Sequence, residues 1–260
     1  MQTAMMAPGP IAPSDFYTGL VAELYRHLRS ETFEAEPYAR FVERSGEPAL
    51  ELGCGDGDPM LDLLSRGLVV EGLDSSADML DRCRSAAAAR GLDVVLHHAT
   101  FEEMDLGERY RSIYLAGATF NLLPDDETAG AAMGRIAAHL HPDGSALIPL
   151  FVPPAPTEAE IGSVRERVTQ DGAVMRVTVL EVVRDEVARD QTTELRYESI
   201  RGGDHHVVDR SWRLHWFEQD RFAAMVADAG LVTRSVRSAN GGSASRDDTS
   251  FSFVVGPAPT

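Results

Sequence analysis

The segment that most constrains this chain is Leu50-Glu51-Leu52-Gly53-Cys54-Gly55-Asp56-Gly57-Asp58, followed by Val69-Val70-Glu71-Gly72-Leu73-Asp74. Residues 48–52 read as a buried strand entering a glycine-rich turn, and 59–66 as the helix that follows. A second apolar strand then ends on the carboxylate of Asp74, about 20 residues beyond Gly55. Strand, turn, helix, strand and acid in this order describe one half of a doubly wound sheet with a nucleotide-sized site at its strand ends. The glycines let the backbone adopt positive φ and let a ligand approach it closely. Asp74, closing its strand, is placed to accept hydrogen bonds from two ribose hydroxyls.

A phosphate-bearing ligand does not suit this turn. A dinucleotide site would carry a third glycine where Asp58 stands, and Asp56 lies in the same turn. Two carboxylates at that point repel a pyrophosphate at short range. A nucleoside with a cationic tail fits better, and Glu51 beside the turn suits the positive end. On these residues the chain resembles the class I S-adenosylmethionine-dependent methyltransferases, well over residues 45–150 and loosely beyond. The resemblance implies that Gly53, Cys54 and Gly55 hold the methionine portion and Asp74 the ribose. It also implies that the segment from Ser75 through Met79 passes under the adenine, where a thioether packs well on an aromatic ring.

Two departures from the family pattern stand out. The acid that usually meets the adenine amino group after the third strand is missing, and Ala99-Thr100-Phe101 occupies its place. Thr100 and Phe101, with Glu102 and Glu103 close by, are the candidates to replace it. The chain also reads Asn121-Leu122-Leu123-Pro124 rather than the Asn-Pro-Pro-Tyr of enzymes that methylate DNA bases and glutamine, which argues against such a target. Small residues, Ala116-Gly117, end the fourth strand. They leave room for the sulfonium and offer the Ala116 carbonyl to the ligand's ammonium.

Composition narrows the partners. A formal charge of −17, from 24 basic and 41 acidic residues, argues against nucleic acid and against an anionic membrane surface. A small neutral or cationic substrate is expected, and a homodimer is compatible with everything in the sequence. The two cysteines, Cys54 and Cys83, form no disulfide framework and suit a reduced, cytoplasmic setting. Cys54 reads as a small residue between two glycines rather than as a nucleophile.

Along the chain, residues 1–13 read as a mobile tail and 14–260 as one methyltransferase domain. Helices are expected over 16–30 and 36–45, forming a helical lid over 14–46. Further helices are expected at 77–90, 126–140 and 219–229, and strands at 94–98, 112–117 and 145–151, after a loop at 141–144. Strand and helix alternate, so the fold class is α/β: a seven-stranded, mostly parallel sheet with helices on both faces. From 152 to 215 the rhythm changes to three β-rich stretches, 173–183, 191–200 and 205–215, read as an antiparallel sheet inserted over the active site. Val174, Arg176, Thr178 and Leu180 alternate along one of these stretches, and Thr193, Leu195 and Tyr197 along the next. Strands at 231–236 and 249–255 close the main sheet.

His215, where the insert rejoins the main fold, is a candidate general base for a hydroxyl or ammonium acceptor, with a packed imidazole as the alternative. Tyr17 and Tyr25 on the first helix, and Phe120 and Asn121 in the loop after the fourth strand, are candidate acceptor contacts. Asp125 and Asp126 read as helix-capping residues rather than metal ligands, and no metal site is expected. The chain is thus expected to transfer a methyl group from S-adenosylmethionine to nitrogen or oxygen of a small molecule, mainly by positioning. A non-catalytic nucleoside-binding protein and a nicotinamide oxidoreductase are the rival readings.

Overall fold

A computed structural model describes residues 13–28 and 33–259. The expected tail, apart from Pro13, and the end of the expected first helix at 29–30 lie outside the described residues. The chain opens with α1 (Pro13–Phe16), α2 (Gly19–Leu28) and α3 (Ala35–Ser45). One continuous first helix was expected, but Gly19 takes a φ of 53° and breaks it in two. There follow β1 (Ala49–Leu52), α4 (Met60–Ser65), β2 (Val70–Asp74), α5 (Ala77–Ala89), β3 (Leu96–His98) and β4 (Tyr110–Leu115). A 3-10 turn, Thr119–Leu122, precedes α6 (Asp126–His139) and β5 (Leu140–Phe151). Then come β6 (Val164–Val168), β7 (Val174–Asp185), β8 (Asp190–Arg201) and β9 (Asp204–His215). The chain closes with α7 (Gln219–Asp228), β10 (Leu231–Ser238) and β11 (Ser250–Pro257).

The main sheet runs β3-β2-β1-β4-β5-β11-β10. β1 lies between β2 and β4, with Leu50 opposite both Glu71 and Ile113 in parallel register. Chain order reverses between β1 and β4. In an open α/β sheet that reversal opens a crevice at the carboxyl ends of the strands. Successive β1 residues face opposite layers, so both sides of the sheet are covered. Leu50 and Leu52 pack with Met133, Ile136 and Phe222 of α6 and α7, and Ala49 with Val42, Leu63 and Leu80 of α3, α4 and α5. β11 pairs antiparallel with β5 and with β10, which closes the sheet on that side. Residues 141–144, expected as a loop, instead form a bulge inside β5, since Leu140 pairs with Tyr110 and Ser145 with Ser112.

The insert is a four-stranded antiparallel sheet, β6-β7-β8-β9, rather than three strands. β6 reads Val-Arg-Glu-Arg-Val and is exposed throughout. Its charges suit an unpaired edge and hide it from any search for apolar alternation. On β7 the buried row is Met175 and Val177, opposite in parity to the row picked out in the sequence. These two residues pack on Leu24 and Leu28 of α2, which also meets Leu195 and Tyr197. Each such fully buried aliphatic side chain contributes about 1.5–3 kcal/mol, so α2 and the insert stabilise one another. Among the described residues no helix is long and apolar enough to cross a membrane.

Candidate active site

At the carboxyl end of β1 the chain turns back over β2. Gly53 N and Cys54 N both donate to the Leu73 carbonyl, at 2.7 and 3.0 Å. Gly55 N donates to Asp74 Oδ2 and Ser76 N to Asp74 Oδ1, each at 2.8 Å. Asp74 therefore ties the glycine turn to the start of α5, and each of its oxygens keeps a lone pair for a ligand. Burial pushes its carboxyl above the usual range, and the two backbone N–H donors oppose that shift. Gly53 has a φ of 71°, and a Cβ there would lie 2.8 Å from Thr119 Cγ2. A substituted residue at this position would fill the cradle.

The N-terminal segment is fastened to this turn at three points. Ser76 Oγ caps α5 by accepting from Met79 N, and it donates to the Tyr17 carbonyl at 2.6 Å. Gly19 N donates to Asp78 Oδ2 at 2.6 Å, and Arg26 pairs with the buried Asp56 at 2.8 Å. Tyr17 and Tyr25 meet edge to face at 5.5 Å. Burial, then the neighbouring Tyr25, Tyr197 and Asp74, raise the Tyr17 phenol well above its ordinary value. Burial pushes the Tyr197 phenol up to about 12. Both phenols therefore stay neutral at physiological pH.

A cavity of about 1210 Å³ runs from this turn to the inner face of the insert. Of the residues expected to contact the cofactor, Gly53, Cys54, Gly55, Asp74, Ser75, Met79, Thr100, Phe101 and Ala116 line it. Tyr17 and Tyr25 line it as well. Near the missing adenine acid, Glu102 joins the wall, whereas Glu103 accepts from Thr100 Oγ1 at 3.3 Å. The Cys83 thiol beside it, then burial, push the Cys54 thiol up, so it carries no thiolate character.

Four expected site residues do not line the cavity. Glu51 is buried behind the turn, where it accepts from the Tyr114 hydroxyl at 2.7 Å. Its Oε1 has no hydrogen-bond partner among the described residues. Burial drives its carboxyl well above the usual range, against the Tyr114 hydrogen bond. A carboxyl raised in the folded state stabilises at low pH, and that contribution is lost as pH rises through the folded value. Glu51→Gln is therefore expected to flatten the decline of Tm as pH rises above the ordinary carboxylate range. Equal slopes for the two proteins in thermal melts would show that Glu51 is ionised throughout.

Phe120 packs in the core against Phe217 and Phe222. The Asn121 side chain donates to the carbonyls of Phe151 and His215 and accepts from Phe151 N, clamping the end of β5 to the end of β9. His215 is buried, with Nε2 3.1 Å from Asp126 and Nδ1 3.3 Å from Asp190. Arg189 and Arg221 also reach Asp126. Burial raises the Asp126 carboxyl, but hydrogen bonds from His215 and Arg189 outweigh it and leave the group below its usual range. The structure thus gives His215 the packed environment that was its alternative reading. The cap of α6 is Asp125, which accepts from Thr128 N at 2.8 Å. His215→Ala should cost about 1–3 kcal/mol of stability in chemical denaturation and leave S-adenosylhomocysteine affinity unchanged. Unaltered stability with lost turnover would return His215 to the chemistry.

On the far wall sequence reasoning picked out the row of Thr193, Leu195 and Tyr197, which lines the cavity, but it missed the neighbours of that row on β7 and β9. Val182, Thr193 and Trp212 form one cross-strand row on the insert's inner face, and Val179 and Leu195 lie in the next. Phe33, Thr119 and Arg165 also line the cavity. Strand alternation could have suggested these positions, but the bulge at Leu180 shifts the register along β7.

These elements together match a known protein class. Residues 49–144 match the family described as a methyltransferase domain. The chain is 30% identical over 229 residues to a dTDP-3-amino-3,6-dideoxy-alpha-D-glucopyranose N,N-dimethyltransferase of Streptomyces fradiae, spanning 84% of this chain and 86% of that protein. Its fold is shared with the CcbJ methyltransferase from Streptomyces caelestis, at TM-score 0.74 and 23% identity, covering 95% of this chain and 98% of that one. It is shared too with S-adenosylmethionine-bound CalS10, an amino pentose methyltransferase from Micromonospora echinaspora, at TM-score 0.65 and 22% identity, covering 94% and 99%. The chain belongs to the class I S-adenosylmethionine-dependent methyltransferases. It is an enzyme that moves a methyl group from S-adenosylmethionine to nitrogen or oxygen of a small-molecule acceptor.

Proposed function

We propose that the acceptor is the amino group of an amino sugar, methylated on nitrogen. The carrying observation is the single cavity that joins the glycine turn and Asp74 to the insert's inner face. The identity to a sugar N,N-dimethyltransferase supports the same reading. At about 1210 Å³ the cavity exceeds the roughly 300–1,000 Å³ of a site for one drug-sized ligand, so donor and acceptor fit side by side.

S-adenosylmethionine supplies an electrophilic methyl on a sulfonium. The cradle at Gly53 and the lone pairs of Asp74 suit it, and the surrounding acids suit its positive charge. In this reading Asp74 binds the ribose, and Gly53, Cys54 and Gly55 the methionine portion. Met79, Ser75, Thr100 and Phe101 enclose the adenine, and the Ala116 carbonyl meets the ammonium. Glu51 acts through the turn as a positioning residue. Tyr17 and Tyr25 close the site from the N-terminal side, and the insert forms the acceptor wall. Catalysis is then the alignment of a neutral amine with the methyl group while water is excluded. His215, Asn121 and Phe120 hold the insert and β5 in place. We also propose one domain from residue 14 to 260 with a cytoplasmic setting, no nucleic-acid partner and a homodimeric assembly.

Methyl-labelled cofactor offered with a 3-amino-sugar and its 3-hydroxy counterpart tests the reading. Label on nitrogen of the first alone supports it. Label on the hydroxy sugar, or on neither while S-adenosylhomocysteine binds by calorimetry, overturns it.

A further inference from the structure

One row on the insert's inner face carries hydrogen-bonding groups that the fold leaves unused. Thr193 on β8 stands directly opposite Trp212 on β9, with Val182 of β7 on its other side, and all three line the cavity. Thr193 is buried, and its hydroxyl makes no hydrogen bond among the described residues. The indole Nε1 of Trp212 is likewise buried and without a hydrogen-bond partner among them. It lies near the Tyr17 phenol, whose raised pKa it opposes, but completes no bond to it. Gln191, in the row beyond, is already engaged, since its Oε1 accepts from Arg184 at 3.2 Å. Arg210 Nε is another buried donor without a partner on this face, but it stands beside Leu195 and outside the cavity lining.

We infer that Thr193 and Trp212 are a specificity-determining pair, and that they hold a hydroxyl on the ring that carries the acceptor amine. This rests on the amino-sugar reading above and goes further, because it names the groups that recognise the sugar. An indole N–H only donates, whereas a threonine hydroxyl both donates and accepts. A ring hydroxyl matches both: its oxygen accepts from Trp212 and its proton goes to Thr193. Folded proteins leave few buried polar groups unpaired, because each one is costly. Val182 and Leu195 beside the pair offer no alternative partner. An acceptor lacking the hydroxyl therefore leaves both groups unpaired, and a site built this way rejects such an analogue strongly. Nε1 is shielded from solvent, so the hydroxyl parts the indole from the phenol beside it, a side-chain adjustment common on binding.

The test compares a 3-amino sugar bearing hydroxyls on both carbons beside the amine with the analogue lacking them. Each is prepared as a methyl glycoside and as a thymidine-diphosphate conjugate, so the outcome does not hang on the anomeric substituent. Each is titrated by calorimetry into the intact enzyme saturated with S-adenosylhomocysteine. In at least one linked form the unsubstituted enzyme should bind the hydroxylated sugar about tenfold tighter, or about 1.4 kcal/mol, near the upper end for one neutral hydrogen bond. Trp212→Phe and Thr193→Val remove the N–H and the O–H while keeping a ring and a branched side chain. Each should erase most of that preference and leave S-adenosylhomocysteine affinity unmoved, whereas Thr193→Ser should keep the preference. Equal binding of the two sugars by the unsubstituted enzyme overturns the inference, and so does a preference that survives either removal. Binding of neither sugar in either form overturns the amino-sugar reading and this inference with it. A preference that the variants erase, with no methyl transferred to nitrogen, supports the pair and overturns the N-methylation reading alone.

Discussion

Gly53→Val is expected to abolish detectable S-adenosylhomocysteine binding in calorimetry while leaving the circular dichroism spectrum native. Three effects act together at this position. The φ of 71° lies in the left-handed region, which costs an L-residue about 1–2 kcal/mol, and β-branching adds to that. A Cβ would stand 2.8 Å from Thr119 Cγ2 and 3.4 Å from Phe101 Cζ, so the turn or its neighbours must shift. The shift moves Gly55 N away from Asp74, and the added methyls enter the cavity itself. A variant that binds normally would show that residues 53–55 are not the cofactor cradle.

Asp74→Asn is the second large effect, and it is not a conservative change. Both carboxylate oxygens accept backbone N–H groups, from Gly55 and from Ser76. An amide presents one NH₂, so one of those donors must face another donor. Leaving such a buried donor unpaired costs about 1–3 kcal/mol of stability. Removing the charged acceptor should weaken S-adenosylhomocysteine by a further 1.5–3 kcal/mol or so, the range for hydrogen bonds to a charged group. Isothermal titration alongside urea denaturation separates the two losses. Unchanged affinity in a destabilised variant would make Asp74 a fold residue only.

Much of the site was legible because it is local in the chain. The strand, the glycine turn and Asp74 lie within a few dozen residues, and backbone physics links their types to their geometry. Asp74 and the glycine turn came from such local reasoning, and the resemblance to the family added Ser75, Met79, Thr100 and Phe101 to the nine cavity-lining candidates. Residues read for their chemistry alone fared differently. His215, Asn121 and Phe120 have types that suit a site, yet each is spent on a long-range contact. His215 reaches Asp126, Asn121 reaches the carbonyls of Phe151 and His215, and Phe120 packs on Phe217.

The sequence by itself determined the mostly parallel sheet and the acidic, phosphate-averse turn, while the strand order with its switch point came from the structure. The sheet and the turn follow from glycine conformational freedom, from apolar runs of strand length and from the charge on Asp56 and Asp58. Only the tertiary structure decided which insert residues face the cavity, that β6 forms an edge, and that Glu51 lies behind the turn. The physical reason is that side chains alternate across a strand with a period of two. One bulge, such as that at Leu180, moves every later residue to the other face, and no local pattern announces it.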